Sequence, residues 1–109
     1  MEIKSGVLNG TLYLSLSGEF DEHAVKDARR IVDRTIDGNV PLSSVVFCLG
    51  EVSFMDSMGI GFLIGRYKKL NALGVPAYIA GVSRETDKIL SMGGIYRLLP
   101  KISEQGERI

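Results

Sequence analysis

This chain of 109 residues contains one cysteine, one histidine and three prolines, and it has no excess of either charge. Each scarcity removes a class of function. A single cysteine, Cys48, excludes an internal disulfide and any cysteine-based zinc site built within one chain. It falls inside an apolar run and reads as a small core filler. Lys plus Arg equals Asp plus Glu at 13 each, so no net field draws the protein toward nucleic acid or an anionic membrane surface. No apolar run approaches the roughly 20 residues of a spanning helix. Met1-Glu2-Ile3-Lys4-Ser5-Gly6 lacks the basic-then-apolar pattern of a secretory signal. The expected setting is the cytoplasm, with no membrane contact, no direct nucleic-acid contact and a protein as the partner.

The elements follow from periodicity and punctuation. Two strand-like runs lie within Ile3 to Ser17 around Asn9-Gly10, a dipeptide that signals a hairpin. From Asp21, the expected cap, to about Ile36 the period changes: Ala24, Val25, Ala28, Ile31, Val32 and Ile36 form one stripe of an amphipathic helix. Ser43 to Leu49 is an apolar strand with too little alternation for a sheet wet on one face, which predicts helices over both its faces. A second helix is expected from about Met58 to Leu73, a strand from Pro76 to Ala80, and a third helix from Ser83, its cap, to Met92. Ile95 to Ile102 should hold a last edge strand, limited by Pro100. After Ser103 a short helical turn or a frayed tail is expected. The sum is one α/β domain over residues 1–109, of order β-β-α-β-α-β-α-β. Its sheet is mixed but mostly parallel, with an N-terminal hairpin and flanking helices.

Phe54-Met55-Asp56-Ser57-Met58-Gly59-Ile60-Gly61 places a hydroxyl beside an acid where a strand hands over to a helix. Free N–H groups and the positive end of the helix dipole at that point stabilise an added anion by ~0.3–1 kcal/mol. Gly59, Gly61 and Gly65 each cost a helix interior ~1 kcal/mol relative to Ala. With Ile60 at the centre of the buried stripe, Met58, Gly61, Phe62, Gly65 and Lys69 turn away from the core. They form a smooth face with Met58 and Phe62 as apolar anchors, suited to close approach by another protein. The plainer alternative is that Gly59 and Gly61 relieve crowding against a strand and that Phe62 is a lone exposed aromatic. Asp56 could orient the serine, cap the helix or meet a partner's basic group.

Enzymatic readings have less support. A hydrolase elbow needs glycine two residues before the serine, and that position is Met55. The sole histidine, His23, opens the first helix, where it reads as a solvated residue. The glycines lack the spacing and the lysine of a phosphate-binding loop. No cofactor or metal is expected.

The stretch from Val52 to Gly61 resembles the signature of STAS domains that act as anti-sigma factor antagonists. Gly65-Arg66-Tyr67-Lys68 resembles its continuation in the sporulation branch, which acts on sigma-F, and Leu16-Ser17-Gly18-Glu19-Phe20-Asp21 resembles the turn before the family's first helix. Together with the element order, the resemblance spans essentially the whole chain. It implies a phosphorylation-controlled decoy: the unphosphorylated form binds a GHKL-type anti-sigma factor, itself an ATP-using serine kinase, and frees the sigma factor. Phosphorylation ends that binding and a PP2C-like phosphatase restores it. The resemblance assigns the phosphoacceptor to Ser57 and a role in partner engagement to Asp56. Glu19 and Asp21, in the turn after the second strand, would join Met58, Gly59, Gly61, Phe62 and Gly65 on the contact surface. Met58 stands where the family usually has a small residue, and Cys48 where many relatives carry Asp or Asn. A general stress-response antagonist, or a small-ligand or nucleotide-binding STAS module, are the alternatives of the same fold.

Overall fold

Asn9 and Gly10 both take positive φ, 52° and 81°, and reverse the chain from β1 (Glu2–Leu8) into β2 (Thr11–Phe20). Two such residues give the turn whose twist matches the flanking strands, so the expected hairpin forms with Leu8 opposite Thr11. The structure, a computed structural model, describes residues 1–103. After β2 come α1 (Glu22–Asp37), β3 (Ser44–Met55), α2 (Ser57–Ala72), β4 (Ala77–Ala80), α3 (Arg84–Met92), a short 3-10 turn (Ile95–Arg97) and β5 (Lys101–Ile102). The expected turn or frayed tail after Ser103 lies outside the described residues.

The strands stand in the order β1-β2-β3-β4-β5, with β1 and β2 antiparallel and every other pair parallel. This is the α/β domain with a mixed, mostly parallel sheet that the sequence implies. On one face, Leu12, Leu14 and Leu16 of β2 and Val45, Phe47 and Leu49 of β3 meet all three helices in a single core. Helix α1 enters that core through Ala28, Val32 and Ile36, four residues apart, while Ile31 stays outside at 40% exposure. Burying each large apolar side chain contributes ~1.5–3 kcal/mol, which is why the amphipathic stripe docks as it does.

The expected helix cover on both faces is not found among the described residues. On the opposite face Val46, Ala80 and Ile102 form a small separate cluster, with Cys48 and Tyr78 packed against it. Val46 lies in register between Tyr13 and Tyr78, so the neighbouring strands' side chains flank it. Cys48 is correspondingly half-buried on that face and is not a filler of the main core.

Strand β3 runs to Met55, six residues beyond the expected end at Leu49. Its pairing with β2 shifts twice, between Ser15 and Ser17 and between Gly18 and Glu19, and each shift gives β3 one extra residue. Gly18 permits the second with φ 105°, a conformation that side chains rarely adopt. Consequently Gly18, Glu19 and Phe20 belong to β2, not to a turn after it.

At the far end the expected strand from Ile95 shrinks to Lys101–Ile102. Gly94, at φ 69°, leads into the 3-10 turn, and pairing with β4 begins only at Pro100, whose carbonyl accepts from Ile79 N–H at 3.0 Å. Among the described residues, no helix is long and apolar enough to cross a membrane.

Candidate functional site

Because β2 and β3 are parallel and each runs straight into a helix, α1 and α2 begin side by side. Phe20 pairs with Met55, and the next residue on each strand is a helix cap. Asp21 accepts from the N–H groups of His23 at 3.1 Å and Ala24 at 3.0 Å. The Ala24 bond is the main influence holding the Asp21 carboxyl below its ordinary range. Asp56 accepts from Met58 N–H at 2.9 Å, so of its three candidate roles the cap is the one visible in its hydrogen bonding.

Ser57 is therefore the first residue of α2 and is exposed. No acidic residue occupies the first turn of this helix. The surroundings are apolar: Phe54, on the last stretch of β3, is 48% exposed, and Met58 is 46% exposed. Glu19 is exposed on β2 and pairs in register with Phe54, two residues from Asp56. Asp21 lies next to Phe20 and is committed to capping α1.

The orientation of α2 differs from the reading centred on Ile60. Its buried residues are Gly59, Phe62, Leu63, Arg66 and Leu70, a stripe rotated by one residue step, about 100°. Phe62 is thus not an exposed anchor. It is 3% exposed, with its ring 4.8 Å from that of Phe20 and tilted by 54°. Gly59 also faces inward, where an added Cβ would lie 2.8 Å from Met55 Cγ and 3.4 Å from Phe20 Cγ. For this glycine the crowding explanation holds. Gly61 and Gly65 behave oppositely: a Cβ at either position would meet nothing within 4 Å.

Gly61 and Gly65 lie along a groove of about 290 Å³ between α1 and α2. Helix α1 contributes Val25 and Arg29, and α2 adds Ser57 and Met58. Phe62 and Arg66 also reach the groove. Arg66 is only 5% exposed, an unusual place for a guanidinium. Its Cζ sits 5.0 Å from the Phe62 ring centroid, and its Nε meets Asp33 Oδ1 of α1 at 2.8 Å. That approach is an ion pair without hydrogen-bond alignment; among the described residues neither atom, nor Arg66 Nη1, has a hydrogen-bond partner. Burial lowers the Arg66 pKa from its ordinary value; Asp33 opposes the shift, and the nearby charge of Arg29 reinforces it.

The structure thus brings Ser57, Met58, Gly61 and Gly65 onto one accessible surface, with Asp56 and Glu19 at its edge, and turns Gly59 and Phe62 inward. Phe54, Arg29 and Arg66 join it without having been singled out in the sequence as surface residues. Strict alternation from buried Val52 would bury Phe54, yet Ser53 and Phe54 are both exposed between buried Val52 and Met55. Nothing in the local pattern marks Arg29. Among the described residues, no group of His, Cys, Asp and Glu is placed to hold a metal ion.

Comparison with known proteins agrees with this architecture. A family model for the STAS domain matches residues 2–107. An anti-sigma F factor antagonist from Paenibacillus polymyxa is 33% identical over 91 residues, covering 84% of this chain and 77% of the relative. Among solved structures, the anti-sigma factor antagonist SpoIIAA in its unphosphorylated form superposes with a TM-score of 0.79 at 24% identity, over 95% of this chain and 90% of that one. The Bacillus cell fate determinant SpoIIAA in the phosphorylated form gives 0.71 at 24% identity, over 95% and 94%. At that identity the structural likeness concerns the fold.

Proposed function

The chain belongs to the STAS-domain family, and we propose that within it this protein is an anti-sigma factor antagonist of the sporulation sigma-F type, switched by phosphorylation of Ser57. The observation that carries the proposal is the placement of Ser57. It is exposed at the first position of α2, between exposed Phe54 and Met58, at the position the family resemblance assigns to the phosphoacceptor. The general role is the one named for the Paenibacillus relative.

In this reading the unphosphorylated protein binds an anti-sigma factor that is also a GHKL-type serine kinase, and the sigma factor is released. The kinase then transfers the γ-phosphoryl group of ATP to Ser57 Oγ. A new O–P bond forms, the bond between Pγ and the β-phosphate bridging oxygen breaks, ADP leaves, and the hydroxyl proton passes to a base on the kinase. A PP2C-like phosphatase reverses the modification with water. The antagonist is the substrate in both steps and acts in the cytoplasm without enzymatic activity of its own. The sole histidine, His23, sits exposed in the first turn of α1.

The energetics favour a switch in binding over a switch in fold. Phosphate adds a charge of about −1.5 to −2 at a helix end that stabilises it by ~0.3–1 kcal/mol. The same charge beside Phe54 and Met58 must be desolvated when a partner covers them, and any acidic group on the partner is repelled. Incubating the protein with the anti-sigma factor encoded in the same genome and ATP, followed by mass-spectrometric mapping, tests the assignment. One phosphate on Ser57, lost in Ser57→Ala, is expected; phosphate on another residue contradicts it.

A further inference from the structure

We propose that the groove between α1 and α2 is a receptor for an acidic side chain of the anti-sigma factor, held between Arg29 and Arg66 over the open floor of Gly61 and Gly65. This rests on the protein-binding role proposed above and names the chemistry that the partner must present.

The first ground is the pair of glycines. Gly61 and Gly65 weaken α2, since glycine is a poor helix former. Unlike Gly59, they relieve no crowding within the chain, because a Cβ at either position meets nothing within 4 Å. What their missing side chains leave open is the groove itself.

The second ground is charge. Arg29 and Arg66 line the same groove, and among the described residues the carboxylate of Asp33 pairs with Arg66 alone, off the line of a hydrogen bond. Arg66 is 5% exposed, reaches the groove, and has Nη1 without a hydrogen-bond partner among the described residues. A buried, charged donor left unsatisfied is uncommon in a native structure. A second carboxylate entering the groove offsets the repulsion between the two arginines, and the planar guanidinium fork suits carboxylate geometry.

The third ground concerns the source of the carboxylate. Exposed Met58 and half-buried Val25 also line the groove, so its occupant must bring apolar contact together with the acid. A chain with equal numbers of acidic and basic residues has no general affinity for polyanions. Both facts select an Asp or Glu on a protein surface. Ser57 lines the same groove, so a phosphate attached there competes for the arginines and repels the incoming carboxylate. Anchor and switch then act at one place.

The test is calorimetric titration of the whole, unphosphorylated chain with the anti-sigma factor encoded in the same genome. Arg29 is exposed, so Arg29→Glu should keep the melting curve of the wild type; should it not, Arg29→Gln repeats the test. The expected result is a loss of affinity of about 10-fold to 100-fold for Arg29→Glu. Lys26→Glu makes the same charge change on exposed α1 surface outside the groove and should cost no more than about threefold. One Asp or Glu to Arg change on the partner should restore binding to Arg29→Glu. Equal effects of the two α1 variants, or no rescue from any exposed acid of the partner, overturns the inference while leaving the protein-binding role intact. Failure of the wild type to bind overturns both.

Discussion

Phe20 and Met55 are register partners on neighbouring parallel strands, and the residues that follow them, Asp21 and Asp56, cap α1 and α2. Two helix N-termini therefore open at the same end of the sheet, on either side of the groove that Ser57 lines. The serine is mounted on a rigid base, since Phe20 and Phe62 pack ring to ring beneath the first turns of α2.

The cap is the first feature to test. Asp56→Ala removes the acceptor for Met58 N–H and should cost about 1 kcal/mol, whereas Asp56→Asn should retain most of it. For a domain of this size that loss lowers the melting temperature by about 4–8 °C. Thermal melts followed by circular dichroism distinguish the two variants.

The three glycines of α2 should respond with opposite signs. Gly59→Ala drives a Cβ to 2.8 Å from Met55 Cγ with Phe20 close behind, and the overpacking should exceed the gain in helix propensity, for a net loss of about 1 kcal/mol. Gly61→Ala and Gly65→Ala enter open space and should each stabilise by up to ~1 kcal/mol. Urea unfolding of the three variants checks the signs. Calorimetry with the anti-sigma factor should show weaker binding by Gly61→Ala and Gly65→Ala, despite their greater stability.

Asp33 neutralises a buried cation. Asp33→Ala leaves the Arg66 guanidinium without its carboxylate and should cost about 1–3 kcal/mol, less than a fully buried pair because the Asp33 side chain is 29% exposed. Adding Arg66→Met to that variant removes the stranded charge and should recover most of the loss. A double-mutant cycle in urea measures both steps.

Stability should fall at both extremes of pH, through one cluster that joins α3, the 3-10 turn after it and β5. Asp87 Oδ1 accepts from Tyr96 Oη at 2.6 Å and from Lys101 Nζ at 2.9 Å. These two bonds, that from Tyr96 foremost, hold the Asp87 carboxyl below its ordinary 3.8. A depressed folded value means that the contribution is present above about pH 4 and is lost as pH falls through the folded pKa. For Tyr96, burial first and the bond to Asp87 second raise the hydroxyl above its ordinary 10.0. Its contribution is complete below about pH 10 and is lost as pH rises toward the folded value. Tyr96→Phe should abolish the Tyr96 part of the alkaline loss and make the acid limb shallower, as read from urea midpoints across pH.

The fold was legible wherever a local signal decided it. Asn9-Gly10 specifies its turn by backbone conformation, and Asp21 and Ser83 announce their helices because capping depends on a few neighbouring residues. The facing of α2 was not legible. Met58, Ile60, Phe62, Leu63, Ile64, Tyr67 and Leu70 spread apolar character over most of the helix, so periodicity could not choose between a stripe centred on Ile60 and one rotated from it by a residue step. The burial of Arg66 depends on Asp33, 33 residues earlier, a relation that exists only once α1 and α2 are packed. Likewise, Phe54 became part of the site through two register shifts in β3 that leave no simple mark in the sequence. Ser57 itself was found by its place between strand and helix, together with the family resemblance.

The affinity of the anti-sigma factor for this protein before and after stoichiometric phosphorylation of Ser57 is the most direct measurement of the proposed switch. The predicted result is binding by the unphosphorylated form and a loss of at least about 100-fold on phosphorylation, equivalent to ~2.7 kcal/mol, with the melting temperature nearly unchanged. Equal affinity of the two forms would contradict the account.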